Sequence, residues 1–175
     1  YLLTQKYVAS VYFERGVRAF NRDGNVDEAA RLIEKAATVS SLDLYVRFLA
    51  DISLFRMNRA LTASPPGGSA ESLRSEFQNL LGAALESARQ AVAHNPTNYE
   101  NFLTLGRVYE AVVPLKIAGA YESARASYEQ AFTLNPHSPA LFLTLARLEA
   151  AKGDNGKARE EIARALAEKG NYTEA

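Results

Sequence analysis

The 175-residue chain has no cysteine, two histidines and a single methionine. Without cysteine, neither a disulfide framework nor a thiolate metal site can form, although that absence fits either side of a membrane. Both histidines, His94 and His137, sit beside an Asn-Pro turn (Asn95-Pro96 and Asn135-Pro136). There they read as structural residues; a cation at a helix C-terminus, as expected for His94, is favoured by the helix dipole. An excess of one charge is missing too. Twenty basic and twenty acidic side chains cancel, so no global field draws nucleic acid or an anionic membrane. No apolar run approaches the roughly 18 residues needed to cross a bilayer, and no signal peptide is visible. The chain opens on Tyr1-Leu-Leu and its one methionine is Met57, as expected of a piece cut from a longer polypeptide. An anchor or targeting signal could lie outside it, and the compartment stays open.

What is present is a repeat. Phe102-Leu-Thr-Leu-Gly-Arg-Val-Tyr109 returns forty positions later as Phe142-Leu-Thr-Leu-Ala-Arg-Leu-Glu149, each copy after an Asn-Pro. Ala124, Tyr128 and Ala131 follow the first copy, and Ala158, Ile162 and Ala165 follow the second with the same spacing. A two-helix unit repeated in this way builds a stack whose business is its surface. Apolar residues recur at helical spacing elsewhere, as in Ala29, Leu32, Ile33 and Ala36, while no window sustains a period of two. Turn residues divide the chain at Asp23-Gly24-Asn25, at the two Asn-Pro sites and at Gly153-Asp154-Asn155-Gly156. The pattern predicts eight helices, over roughly 3–22, 26–38, 42–62, 70–94, 98–117, 120–134, 138–152 and 155–168. Paired, they form units of about 3–40, 41–96, 97–136 and 137–170 within one domain. Two irregularities interrupt the series: a Pro/Gly-rich loop at 63–69 and an insertion at 112–120, where Pro114 should kink or end its helix. Each is open to two readings, family decoration or contact surface.

These residues resemble tetratricopeptide repeats, whose first helix carries a large residue, Leu-Gly and an aromatic, and whose second carries Ala, an aromatic and Ala before a closing Pro. Phe102, Leu105, Gly106, Tyr109, Ala124, Tyr128, Ala131 and Pro136 supply that set in the third unit. The fourth has Phe142, Leu145, Ala146, Gly153, Ala158, Ile162 and Ala165, with Glu149 in place of the aromatic and Gly170 in place of the Pro. The first unit offers Phe13, Phe20, Gly24, Ala29, Ile33 and Ala36, but Val17 where a small residue is expected. The second, with Leu49-Ala50, Ala84, Ala88, Ala91 and Pro96, is the loosest. The resemblance implies an all-α, right-handed superhelical α-solenoid acting as a scaffold for a protein or peptide. Small residues would let backbones approach where helices cross, and Phe102, Tyr128, Phe142 and Ile162 would fill the space between crossings. The texture is also similar to the soluble tails of bacterial membrane proteins, O-antigen polymerase- or ligase-like proteins among them. That likeness would make the segment an accessory domain tethered through a preceding region.

Catalytic signals are poor. No zinc spacing or phosphate loop is present, and Gly67-Gly68 lacks the Lys-Ser/Thr that a phosphate loop needs. Acidic pairs such as Asp27-Glu28 and Glu160-Glu161 belong to solvated helix faces, so no enzyme activity, cofactor or metal is expected. The seventeen Tyr and Phe residues read as core rather than as a ligand platform. The better candidate is a row on the first helices, which in this family line the concave side. Arg18, Arg107 and Arg147 fall at one repeat position, with Asp51 near the same place in the second unit. Leu103 and Leu143 lie one turn before the last two arginines, and Glu110 lies three residues after Arg107. Such a face could hold a peptide, with arginines for carboxylates and leucines for an apolar anchor; the plain alternative is that the arginines pair with neighbours such as Glu110. The apolar first helix (Leu2, Leu3, Tyr7, Val8, Val11, Tyr12) and the last residues, Gly170 to Ala175, which resemble the opening of a further unit, also allow self-association through the ends of the stack.

Overall fold

Side-chain caps and turn residues set the helix boundaries. Asn25 Oδ1 accepts from the Glu28 amide, Ser69 Oγ from Ser72, Asn98 Oδ1 from Glu100 and Asp154 Oδ1 from Lys157, each at 3.1 Å. Each satisfies one of the amides left without a partner in a first helical turn. In the computed structural model, which describes residues 2–62 and 69–173, the helices are α1 (Leu2–Asn21), α2 (Val26–Val39), α3 (Asp43–Thr62), α4 (Ala70–His94), α5 (Tyr99–Glu110), α6 (Ala120–Leu134), α7 (Pro139–Lys152) and α8 (Asn155–Thr173). No strand occurs among the described residues. The all-α repeat fold expected from periodicity is the one found, built of hairpins α1–α2, α3–α4, α5–α6 and α7–α8. They fall into two compact units, Tyr1–Asn95 and Pro96–Ala175. Most of the loop at 63–69 lies outside the described residues.

In the N-terminal unit α2 is the most one-sided helix: Ala29, Ala30, Leu32, Ile33 and Ala36 are all buried. All of these but Leu32 share one core cluster with Ala9, Ala19, Tyr45 and Ile52. Beside them runs a chain of rings joining α1 to α3. Phe13 meets Tyr45 at 5.0 Å and Phe48 at 5.5 Å between centroids, and Phe20 meets Phe48 at 5.9 Å and Phe55 at 5.3 Å. Three of these four contacts are edge-on, the geometry the aromatic quadrupole favours. Phe13, Phe20, Tyr45 and Phe48 belong to the core or pack against it, as expected, whereas Phe55 is 45% exposed. Along α1, however, Leu3 and Tyr7 remain 84% and 71% exposed.

The small residue at the α1–α2 crossing is Gly16, not the neighbouring Val17. A Cβ on Gly16 would lie 2.5 Å from Ile33 Cγ1, just as one on Gly106 would lie 2.2 Å from Tyr128 Cε1. Ile33 and Tyr128 hold the same place in their second helices, each four residues after a buried alanine, Ala29 or Ala124. The spacing from crossing residue to crossing residue is one longer in α1–α2 than in α7–α8: Gly16 precedes Ala29 by thirteen positions, whereas Ala146 precedes Ala158 by twelve. Counting back from α2 with the regular spacing therefore lands on Val17.

In the C-terminal unit the small residues occupy buried positions, as expected. Ala124, Ala131, Ala146, Ala158 and Ala165 are buried, with Val108, Leu141 and Leu148 between them. Tyr128 and Phe142 fill the spaces as expected, the latter edge-on to Phe132 at 5.1 Å. Ile162 does not. It is 42% exposed, because it sits on α8 and no further described helix covers that face. Two boundaries also differ. α5 ends at Glu110 rather than 117, and the insertion forms a 3-10 turn at Val113–Leu115 with Pro114 inside it. α8 continues to Thr173, so Gly170 does not close the unit.

Candidate functional site

The first helices of the C-terminal unit bring part of the sequence-predicted row together. On α7, Leu143 is 48% exposed, and Arg147, one turn on, extends its guanidinium to Glu110 of α5, with Nε 3.6 Å from Oε1. Glu110 also accepts from the Tyr128 hydroxyl. Arg107 is half-buried and donates to Thr104 Oγ1 at 2.7 Å; Leu103 is half-buried on the same helix. This face thus combines an exposed leucine, an exposed arginine and a carboxylate shared between the arginine and a buried phenol. Burial first, then the Glu110 charge and hydrogen bond, push the Tyr128 phenol far above its ordinary range.

Arg18 and Asp51 belong to the N-terminal unit. With Gly16 as the crossing residue, Arg18 stands two positions after it, whereas Arg107 and Arg147 stand one position after Gly106 and Ala146. One residue is about 100° around a helix, so Arg18 is not the equivalent of the other two. Asp51 follows the fully buried Ala50 on α3 and is itself half-buried.

A second polar constellation is one that sequence reasoning missed. Glu149, which stands in sequence only as a departure from an aromatic position, is 4% exposed. Its Oε1 accepts from Tyr121 Oη at 2.7 Å and from Arg125 Nη1 at 3.3 Å, both on α6. Arg125 Nε donates to Glu129 at 2.8 Å, and the Lys152 ammonium lies 3.7 Å from the centre of the Tyr121 ring. Hydrogen bonds to Tyr121 and Glu129 hold the Arg125 guanidinium still more firmly protonated than usual. The signal in the sequence is an acidic residue in a repeat position meant for a packed ring. Its partners come from another helix, beyond the reach of local pattern. Among the described residues, no group of His, Asp and Glu is placed to hold a metal ion, and no helix is long and apolar enough to cross a membrane.

Residues 115–175 match the family model of the tetratricopeptide repeat. A human protein named protein O-mannosyl-transferase TMTC1 is 42% identical over 72 residues, which are 41% of this chain and 8% of that protein. The chain therefore spans under a tenth of that relative's length. Among solved structures, the crystal structure of MamA aligns with a TM-score of 0.67 at 15% identity, covering 95% of this chain and 81% of the other. TTC0263, a thermophilic TPR protein of Thermus thermophilus, aligns with a TM-score of 0.48 at 21% identity over 91% of each chain. The MamA likeness extends the same helical-repeat fold over nearly the whole chain.

Proposed function

From the premise that this chain carries tetratricopeptide repeats, we propose that it is a non-catalytic scaffold that binds a peptide or protein segment along its first-helix faces. The observation that carries this reading is the pairing on α7 of exposed Leu143 with exposed Arg147 one turn later. An exposed leucine one turn from a guanidinium offers an apolar and a cationic contact side by side. An extended segment with an apolar anchor and a nearby carboxylate fits them: the anchor over Leu143 and Leu103, the carboxylate on the guanidinium of Arg147, with Arg107 on the adjoining helix. Asp51 offers a charge of opposite sign at the corresponding place in the N-terminal unit.

The test is selection from a random dodecapeptide library on the immobilised chain, followed by binding of the selected peptides to a Leu143→Glu/Arg147→Gln variant. Arg147→Gln is chosen over charge reversal because a carboxylate there would face Glu110. We expect peptides rich in leucine and acidic residues that lose at least tenfold in affinity for a variant of unchanged melting temperature. Peptides that bind both proteins equally would overturn the reading.

A second reading is favoured by the match to a protein named as an O-mannosyl-transferase: the repeats would be an accessory segment of a larger glycan-assembly protein, positioning it without doing chemistry. The complete reading frame decides. Membrane spans and a transferase region in the same polypeptide support this reading, and a frame holding repeats alone removes it.

A further inference from the structure

On the α5–α7 face one ion pair is only half made. The Arg147 side chain on α7 is 60% exposed, and its nearest nitrogen, Nε, stands 3.6 Å from Glu110 Oε1. An unrestrained carboxylate beside a guanidinium closes to two parallel hydrogen bonds of about 2.7–2.9 Å. Glu110, the last residue of α5, does not close, although its side chain is only 16% exposed and has Arg147 beside it. Its other oxygen, Oε2, accepts from the Tyr128 hydroxyl on α6. Tyr128 cannot follow the carboxylate toward α7, because its ring is 1% exposed and packed over Gly106. A hydrogen bond to a charged group outweighs an exposed ion pair, so the phenol decides where Glu110 stands.

Two carboxylates then have a claim on one guanidinium: that of Glu110, from within the fold, and that of a bound segment. We propose that Glu110 is a built-in competitor for the partner's carboxylate and that Tyr128 restrains it, so that this pair sets how strongly the site prefers an acidic segment. The inference rests on the peptide-binding reading above and deepens it. Freed from Tyr128, Glu110 closes on Arg147 and takes the fork a partner would use. With the Glu110 charge removed, the whole fork is open to the partner. Specificity here comes as much from what opposes binding as from what favours it. Buried Tyr128 reaches no partner atom; it is a positioning residue.

The experiment uses the intact chain labelled with nitrogen-15 at arginine, the parent beside Tyr128→Phe, Glu110→Gln and the double variant. With no ligand present, the Arg147 Nε–Hε resonance, assigned by its loss in Arg147→Lys, should move downfield in Tyr128→Phe as the pair closes. The double variant should lose that displacement. An unmoved resonance, or one displaced equally in the single and double variants, overturns the restraint; the second comparison separates closure from local repacking. The blocked tripeptide Ac-Leu-Glu-Leu-NH2 and its Gln counterpart then probe the site. The ratio of their affinities, acid over amide, should fall by about threefold in Tyr128→Phe, the scale of one exposed ion pair. It should rise by about as much in Glu110→Gln and in the double variant. A parent preference for the acid that Arg147→Gln abolishes but Glu110→Gln leaves unmoved overturns the competition. No acid preference in the parent, or one that survives Arg147→Gln, overturns the peptide-binding reading instead, and the ligand-free resonance still judges the restraint.

Discussion

A methyl group added at Gly106 would stand 2.2 Å from one carbon of the Tyr128 ring and 2.4 Å from the next. The ring cannot easily yield, because it is 1% exposed and its hydroxyl is held by Glu110. Gly106→Ala should therefore cost about 1–3 kcal/mol, in the range of other overpacking changes; chemical denaturation measures it. Tyr128→Phe removes a hydrogen bond to a charged group and should cost about 1.5–3 kcal/mol at neutral pH. Its effect on the alkaline limb runs the other way. The folded phenol binds its proton more tightly than the unfolded one, so its contribution is complete below about pH 10 and is lost as pH rises beyond. Tm measured from pH 8 to 11 should thus fall more gently in Tyr128→Phe than in the parent. A residual decline remains from Tyr45, whose phenol burial also raises.

At the scale of helices, packing rests on alanines that admit a facing backbone. Ala131 is fully buried on α6. Ala131→Leu should overpack that seam by about 1–3 kcal/mol, seen as a lower melting temperature with the helical signal unchanged. An unaltered Tm would mean that α6 does not cross its neighbours at this residue. Most helix limits could be read from the sequence because caps and Asn-Pro turns act locally: Asn25, Asn98 and Asp154 each bond within their own first turn. What could not be read depended on spacing across a turn or on a distant helix. The extra residue before α2 hid Gly16 and displaced Arg18 from the row it was placed in. The insertion between Glu110 and Ala120 changes the path into α6, whose Tyr121 and Arg125 serve Glu149, so no local pattern pointed to that carboxylate as a buried acceptor. The meeting of Arg147 with Glu110 was foreseeable only as one option, since each side chain has other company within reach.

Over the whole molecule, regular repeat spacing is concentrated in the C-terminal unit, and the family match at 115–175 falls inside it. The N-terminal unit reaches the same hairpin construction with longer helices, α3 of 20 residues and α4 of 25, and with a ring chain in place of the regular anchors. Its first helix has a colloidal consequence. Leu3 and Tyr7, one turn apart on α1, present oily surface to water, and the polypeptide carries zero formal charge at pH 7. Nothing electrostatic then opposes attraction between such patches on different molecules. The second virial coefficient from light scattering should pass through a minimum near neutrality and rise on either side, and Leu3→Lys/Tyr7→Glu, which leaves the charge balanced, should lift that minimum by removing the stickiness alone.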